Sequence, residues 1–301
     1  MVPIWADGPR SVWALEDGQE SMRTGLILEG GGMRGMFTCG VLDVFMEEGV
    51  AFDGAAGISA GAVFGCNYKS RQKGRALRYN KTYGRAWRYC SLRSLILTGD
   101  LYGADFCYRK LPDELDVFDR AAFRENPMAF YAGAADVETG KTVYHRCGDG
   151  GKEDMLWLRA SASMPVVSRP VEIGGRRYLD GGVADPVPYA FMEKEGYDRN
   201  VAILTQPRGY VKKPSPGAMG VLLRKYPAIR RAMKERHVVY NRQMDEIGER
   251  EKAGRLLVIR PARDLGIRRT ERDPQALQRA YDAGREEGFR RLNEVKAYLK
   301  G

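Results

Sequence analysis

The chain has 301 residues, 44% of them hydrophobic and 29% charged, which is enough apolar material for a sizeable core and too much for a disordered chain. The longest uncharged, largely apolar stretch, 54–66, falls short of the roughly 20 residues that a membrane span needs, and the N-terminal sequence has no secretory apolar region, so the expectation is a cytoplasmic globular protein. The formal charge of +10 is confined to the last third, where Lys and Arg outnumber Asp and Glu 24 to 12 over 208–301, against 25 to 27 before it.

Such a basic block suits an anionic membrane surface or a nucleic acid. Acidic residues are interspersed through it and no nucleic-acid motif accompanies it, so no nucleic-acid partner is expected. Five cysteines without a CxxC pair argue against a disulfide framework or a zinc site, and no metal is expected.

From Thr24 onward, short apolar runs alternate with helical periodicity, the pattern of an α/β fold with a mainly parallel sheet. Residues 25–30 read as a buried strand, followed by glycines and an apolar helix over 36–48. Residues 52–58 read as a second strand that runs into Ser59 and another helix. The segment 71–93, rich in Arg, Lys and Tyr, has a helical period and reads as a covering element or a solvated helix. Residues 129–136 and 201–205 read as strands, and 154–163 as a helix. Gly174-Gly175 supplies the turn of a hairpin over 171–179 that delivers Asp180.

Beyond Gln206 the composition shifts to Pro, Gly and Lys. Pro227 breaks any helix there, after which Ile229, Ala232, Met233, Tyr240 and Ile247 recur at helical spacing in a basic amphipathic helix. Residues 256–261 read as one more strand, and Asp273-Pro274 starts a final helix to about residue 299. The expected organisation is an arm over 1–23, a catalytic domain over 24–205 and a basic, mostly helical extension over 206–301 packed on or beside it.

Chemistry concentrates in three places. Gly30-Gly31-Gly32-Met33-Arg34-Gly35 lies between a strand and a helix, where glycines let the backbone approach a ligand and leave amides free to bind negative charge. The same six residues satisfy the dinucleotide fingerprint, with Asp53 as the ribose-binding acid, so a nucleotide-binding module stands as an alternative. Gly57-Ile58-Ser59-Ala60-Gly61 fits a nucleophile elbow, a serine exposed at a sharp strand-to-helix turn. Asp180-Gly181-Gly182, ahead of Asp185-Pro186-Val187-Pro188, forms a firmly shaped turn.

The order of these motifs, with Arg159-Ala160-Ser161-Ala162-Ser163-Met164-Pro165 between the second and third, resembles the patatin-like phospholipase family over roughly 24–205. The resemblance implies a three-layer α/β/α sandwich and cleavage of acyl esters of phospholipids or other lipids without a cofactor. It also implies Ser59 as nucleophile, Asp180 as general base, and Gly31, Gly32 and Arg34 in the oxyanion loop, with Gly30, Gly35, Gly57, Gly61, Gly181 and Gly182 as supporting glycines. Glu29 departs from the aspartate usual before the glycines. A Ser–Asp pair is chemically workable: an unperturbed Asp is about 2.6 pKa units less basic than His, and one oxyanion donor, worth about 2.7–4 kcal/mol, offsets much of that. Two histidines, His145 and His237, leave a triad through His237 open as a competitor. Peripheral membrane contact is expected through the basic last third, with the helix around 228–247 as the apolar element.

Overall fold

A computed structural model describes residues 22–301; residues 1–21, most of the expected arm, lie outside the described residues. Among the described residues eight strands form one sheet: β1 (Thr24–Leu28), β2 (Gly54–Ile58), β3 (Ala129–Asp136), β4 (Thr142–Cys147), β5 (Val171–Ile173), β6 (Arg176–Asp180), β7 (Arg199–Ile203) and β8 (Leu256–Ile259). Among the described residues the α-helices are α1 (Met36–Glu47), α2 (Ala60–Lys69), α3 (Arg75–Tyr83), α4 (Leu92–Thr98), α5 (Arg120–Glu125), α6 (Lys152–Ala162), α7 (Tyr189–Lys194), α8 (Ala218–Leu222), α9 (Pro227–Lys252) and α10 (Pro274–Lys300). A π-helical stretch, Phe106–Leu115, follows α4.

The order β3-β2-β1-β7-β8 is parallel throughout, and its strands are continuous apolar runs because both faces are covered. Leu26 and Leu28 of β1 face a layer made by α1, α2 and α10, whereas Ile27 faces α7 and α9 on the other side. The fold is therefore a three-layer α/β/α sandwich with a mainly parallel sheet. Residues beyond 205 are woven into it: β8 is its edge strand, α9 lies on one face and α10 on the other.

One topological detail positions the chemistry. On one edge β3 pairs in parallel with β2 through residues 129–133, then antiparallel with β6 through residues 134–136, while its other edge takes β4. The C-terminal ends of β2 and β6 therefore run toward each other along a shared neighbour. Ser59 follows the last residue of β2 and Asp180 is the last residue of β6.

Two expectations need correction. The stretch 71–93 is not one helix: 75–83 forms α3, 92–93 already belong to α4, and Tyr79 and Tyr89 turn inward into a buried cluster. The apolar stripe of α9 is not available to a membrane, because Ile229, Met233, Tyr240 and Ile247 are buried against the sheet and its connections. Helical period alone does not distinguish a face that meets lipid from one that meets a core.

Candidate active site

Ser59 stands between β2 and α2 with φ 55°, a strained conformation for a residue with a side chain. Its flanking glycines leave no alternative to this bend. A Cβ on Gly57 would lie 2.6 Å from the Gly61 carbonyl oxygen, and one on Gly61 would lie 2.3 Å from that of Leu28. The Ser59 carbonyl accepts the first helical bonds, from the amides of Ala62 and Val63, at 3.0 Å each. Its own amide donates to Ser161 Oγ at 2.9 Å.

Asp180 is buried at the end of the hairpin. Its amide donates to the Ser163 carbonyl at 2.8 Å and its Oδ1 accepts the Gly182 amide at 2.8 Å. Burial pushes its pKa above the usual carboxylate value. The Ser59 hydroxyl, the Arg236 charge, the Gly182 amide and the Arg269 charge oppose that rise in part. The 159–165 segment thus braces both residues, through Ser161 on one side and Ser163 on the other. These two serines were visible as part of a motif, but their roles were not legible in its letters.

The glycine loop closes a third side. The amides of Gly31 and Gly32 donate to no other group among the described residues. Gly32 has φ 59°, and a Cβ there would lie 2.4 Å from the Arg269 carbonyl oxygen, which accepts the Met33 amide at 2.9 Å. A Cβ on Gly30 would press on Ser59 at 3.1 Å. Glu29, buried beside the loop, uses its extra length in both directions. It accepts the Thr205 amide and hydroxyl at the end of β7, and the Tyr240 hydroxyl of α9 at 2.9 Å. The departure from aspartate ties the loop to the chain beyond 205.

A cavity of about 250 Å³ collects these groups: Gly30, Gly31, Gly32, Arg34, Ser59, Asp180 and Gly182 all line it. Lys212, Arg236 and Arg269 line it too, and no sequence motif singles them out. Val166, at φ 75°, also borders it, a costly conformation for a β-branched residue. A smaller hollow of about 90 Å³ adjoins it at Ser59, bounded by Met33, Val63, Phe64, Tyr79, Tyr89 and Leu111. Its walls are mainly aliphatic and aromatic, with Cys107 and Arg269 among them, and it shares Gly32, Ser59, Met164 and Arg269 with the first.

Several sequence candidates lie elsewhere. Asp53 stands at the start of β2, where its carboxylate accepts the amide and hydroxyl of Thr24. A ribose-binding acid is needed at the carboxyl ends of the strands, next to the glycine loop, so the nucleotide-binding alternative fails on position. His237 does not line the Ser59 cavity; its neighbour Arg236 does. His145 stacks on Trp157 and bonds Asp154 Oδ1 at 2.8 Å. His145, Cys147 and Asp154 bring three potential ligand atoms within 4.8 Å of one another. Asp154 already accepts the Asp149 and Gly150 amides, and burial holds the Cys147 thiol protonated, so the group fits a hydrogen-bonded pair better than a metal centre.

These features define a sandwich with a strained serine, a buried carboxylate and free loop amides around one cavity. A model of the patatin-like phospholipase family matches residues 26–192, more than half of the chain, and the chain belongs to that family. A second family model, described as a domain of unknown function (DUF6363), matches residues 226–300. Among curated relatives, an uncharacterized NTE family protein of Mycobacterium tuberculosis is 29% identical over 62% of this chain and 50% of its own length. The uncharacterized protein YjjU of Escherichia coli is 32% identical over 62% and 52%. A lysophospholipase NTE1 of Debaryomyces hansenii is 26% identical over 60% of this chain and 11% of its own. The chain thus spans about half the length, or less, of the curated relatives it matches. The solved structure of VipD from Legionella pneumophila aligns with a TM-score of 0.46 at 14% identity, over 91% of this chain and 67% of that one. Among the described residues no helix is long and apolar enough to cross a membrane.

Proposed function

We propose that the chain is a serine hydrolase of lipid acyl esters, of phospholipase A, lysophospholipase or esterase type, working through an acyl-enzyme. The observation that carries this reading is the strained Ser59 and the buried, proton-avid Asp180 lining one cavity with the amides of Gly31 and Gly32. Asp180 takes the Ser59 proton as Oγ bonds the ester carbonyl carbon, and the carbonyl π pair moves to oxygen, held by the two amides. Collapse of the tetrahedral adduct breaks the bond to the alcohol oxygen, which leaves with the proton from Asp180. Water then repeats the sequence on the acyl-enzyme, releasing the fatty acid and regenerating Ser59. A base with a raised pKa recovers part of what aspartate lacks relative to histidine.

Family membership supports the class of reaction, and the name of one relative, lysophospholipase, supports a lipid substrate. Arg34 lines the cavity with its Nε buried and unpartnered, so its charge serves the oxyanion or a bound anion and not an internal carboxylate pair. Contact with lipid surfaces is assigned to α4 instead of α9: Leu92, Ile96 and Leu97 are 72%, 82% and 60% exposed, with Arg88 and Arg93 beside Trp87. Ile96→Asp should reduce co-sedimentation with anionic vesicles, and unchanged binding would remove α4 from the contact.

The test of the hydrolase reading is a fluorophosphonate probe with mapping of the labelled peptide. Ser59 should be labelled, Ser59→Ala should abolish labelling, and Asp180→Asn should abolish p-nitrophenyl ester hydrolysis. Because Asp180 must be ionised to act, the acid limb of kcat/KM should fall at a pH above that of an ordinary aspartate. Full activity in Asp180→Asn would refute the pair.

A further inference from the structure

The cavity beside Ser59 carries more positive charge than catalysis needs. Arg34, Lys212, Arg236 and Arg269 line it against two carboxylates, Glu29 and Asp180. The other partly buried arginines near this end of the sheet have carboxylate partners, Arg260 with Glu251 and Arg250 with Glu193, whereas most unpaired cations of the C-terminal third stand in solvent. Among the described residues none of the four cavity cations has such a partner. Lys212 is buried, with its ammonium 4.1 Å from the centre of the Tyr240 ring. Arg236 lines the cavity and donates Nε to the Gly182 carbonyl. Buried Arg34 Nε has no acceptor.

Like charges gathered in a partly closed space repel, and a fold tolerates them where an anion resides. Burial first, and then the charges of Arg236, Arg269 and Arg34 with Glu29 opposing, push the Lys212 ammonium down to about 7. A bound dianion reverses that shift.

Ser59 lines both this cationic cavity and the smaller hollow walled by Met33, Val63 and Phe64, which of the four cations only Arg269 borders. An ester held at Ser59 has two ends, and the two spaces sort them: the first carbons of the acyl chain toward the smaller hollow, the alcohol into the cationic cavity. Resting on the hydrolase reading above, we propose that Lys212, Arg236 and Arg269, with Arg34, bind a phosphate monoester on the leaving alcohol, so that the preferred substrate is an anionic lysophospholipid of the lysophosphatidate type. Three of the four cations come from beyond residue 205, outside the segment matched to the phospholipase family, so the C-terminal third is the part of the chain that reads the headgroup.

The experiment measures kcat/KM of the purified full chain on 1-oleoyl-lysophosphatidate and on 1-monooleoylglycerol, which differ only in the phosphate. Inorganic phosphate is added as an inhibitor of p-nitrophenyl butyrate hydrolysis. The wild type should favour lysophosphatidate about tenfold or more, and Lys212→Gln and Arg269→Gln should each lower that ratio about fivefold to tenfold, as expected for one charge-assisted bond. Lys212→Arg should retain most of it. Phosphate should inhibit competitively, and more weakly in both Gln variants. A wild-type ratio near one, or a ratio unmoved in the double variant, would overturn the headgroup assignment while leaving the hydrolase intact. Inhibition by phosphate with a ratio near one would assign the cavity to a free anion and equally overturn it. Absence of turnover on every ester, together with absence of fluorophosphonate labelling, would instead remove the hydrolase reading itself.

Discussion

Replacing Gly284 by alanine should separate two helices that the fold holds unusually close. A Cβ at Gly284 would lie 2.0 Å from the Phe37 carbonyl oxygen, and one at Gly40 would lie 2.1 Å from that of Tyr281. Carbon and carbonyl oxygen approach to about 3.3 Å, so the α1 and α10 backbones must part by about 1 Å or more. The layer they would open contains Phe37, Val41 and Val295, all buried against the sheet. Overpacking typically costs about 1–3 kcal/mol and occasionally more, whereas alanine's better helix propensity returns somewhat under 1 kcal/mol. A net loss of about 2 kcal/mol translates into a Tm lower by about 3 °C for a chain of this size. Gly248→Ala is the matched control, since Gly248 sits within α9 and its Cβ meets nothing within 4 Å; it should stabilise by up to about 1 kcal/mol. Thermal and urea unfolding of the two variants side by side provide the measurement. A Gly284→Ala protein as stable as the wild type would refute the close helix approach, and with it the integration of α10 into the sandwich.

Ser161→Ala removes the acceptor of the Ser59 amide and should lower kcat about tenfold with little change in KM, because the nucleophile is positioned less well; steady-state kinetics on a soluble ester check this. Tyr240→Phe deletes a donor to a buried carboxylate and should cost about 1.5–3 kcal/mol in urea unfolding. Lys212 binds its proton more weakly in the folded chain, at about 7 against an ordinary 10.5, so the unfolded chain binds more protons between those values and wild-type stability gains a contribution from this group as pH rises through that window. Lys212→Met should lack that contribution, of at most about 1.4 kcal/mol per pH unit, and should be the more stable protein at pH 6. Parallel pH dependences in the two proteins would show that Lys212 keeps an ordinary proton affinity.

The elements legible in the sequence are those whose causes are local. The run of β1, the glycines of the elbow, the Gly174-Gly175 hairpin and the start of the last helix at Asp273-Pro274 each follow from a few neighbouring residues. The motif order carried the family, and with it Ser59 and Asp180 as candidates. Helical period in α9 was also legible, but the partner of its apolar face was not: a stripe of Ile229, Met233, Tyr240 and Ile247 has the same spacing whether it meets lipid or a sheet.

Spatial convergence belonged to the tertiary structure alone. No local signal joins Arg34 to Lys212, Arg236 and Arg269, because their neighbourhood is made by α9 and the segment before α10 folding back over the strand ends. Nor does Glu29 announce that its extra methylene reaches Tyr240, 211 positions away. Short-range periodicity and turn chemistry act over a few residues and are written in order along the chain. Charge, burial and proton affinity depend on everything within several ångströms, and only the packed sheet decides what that includes.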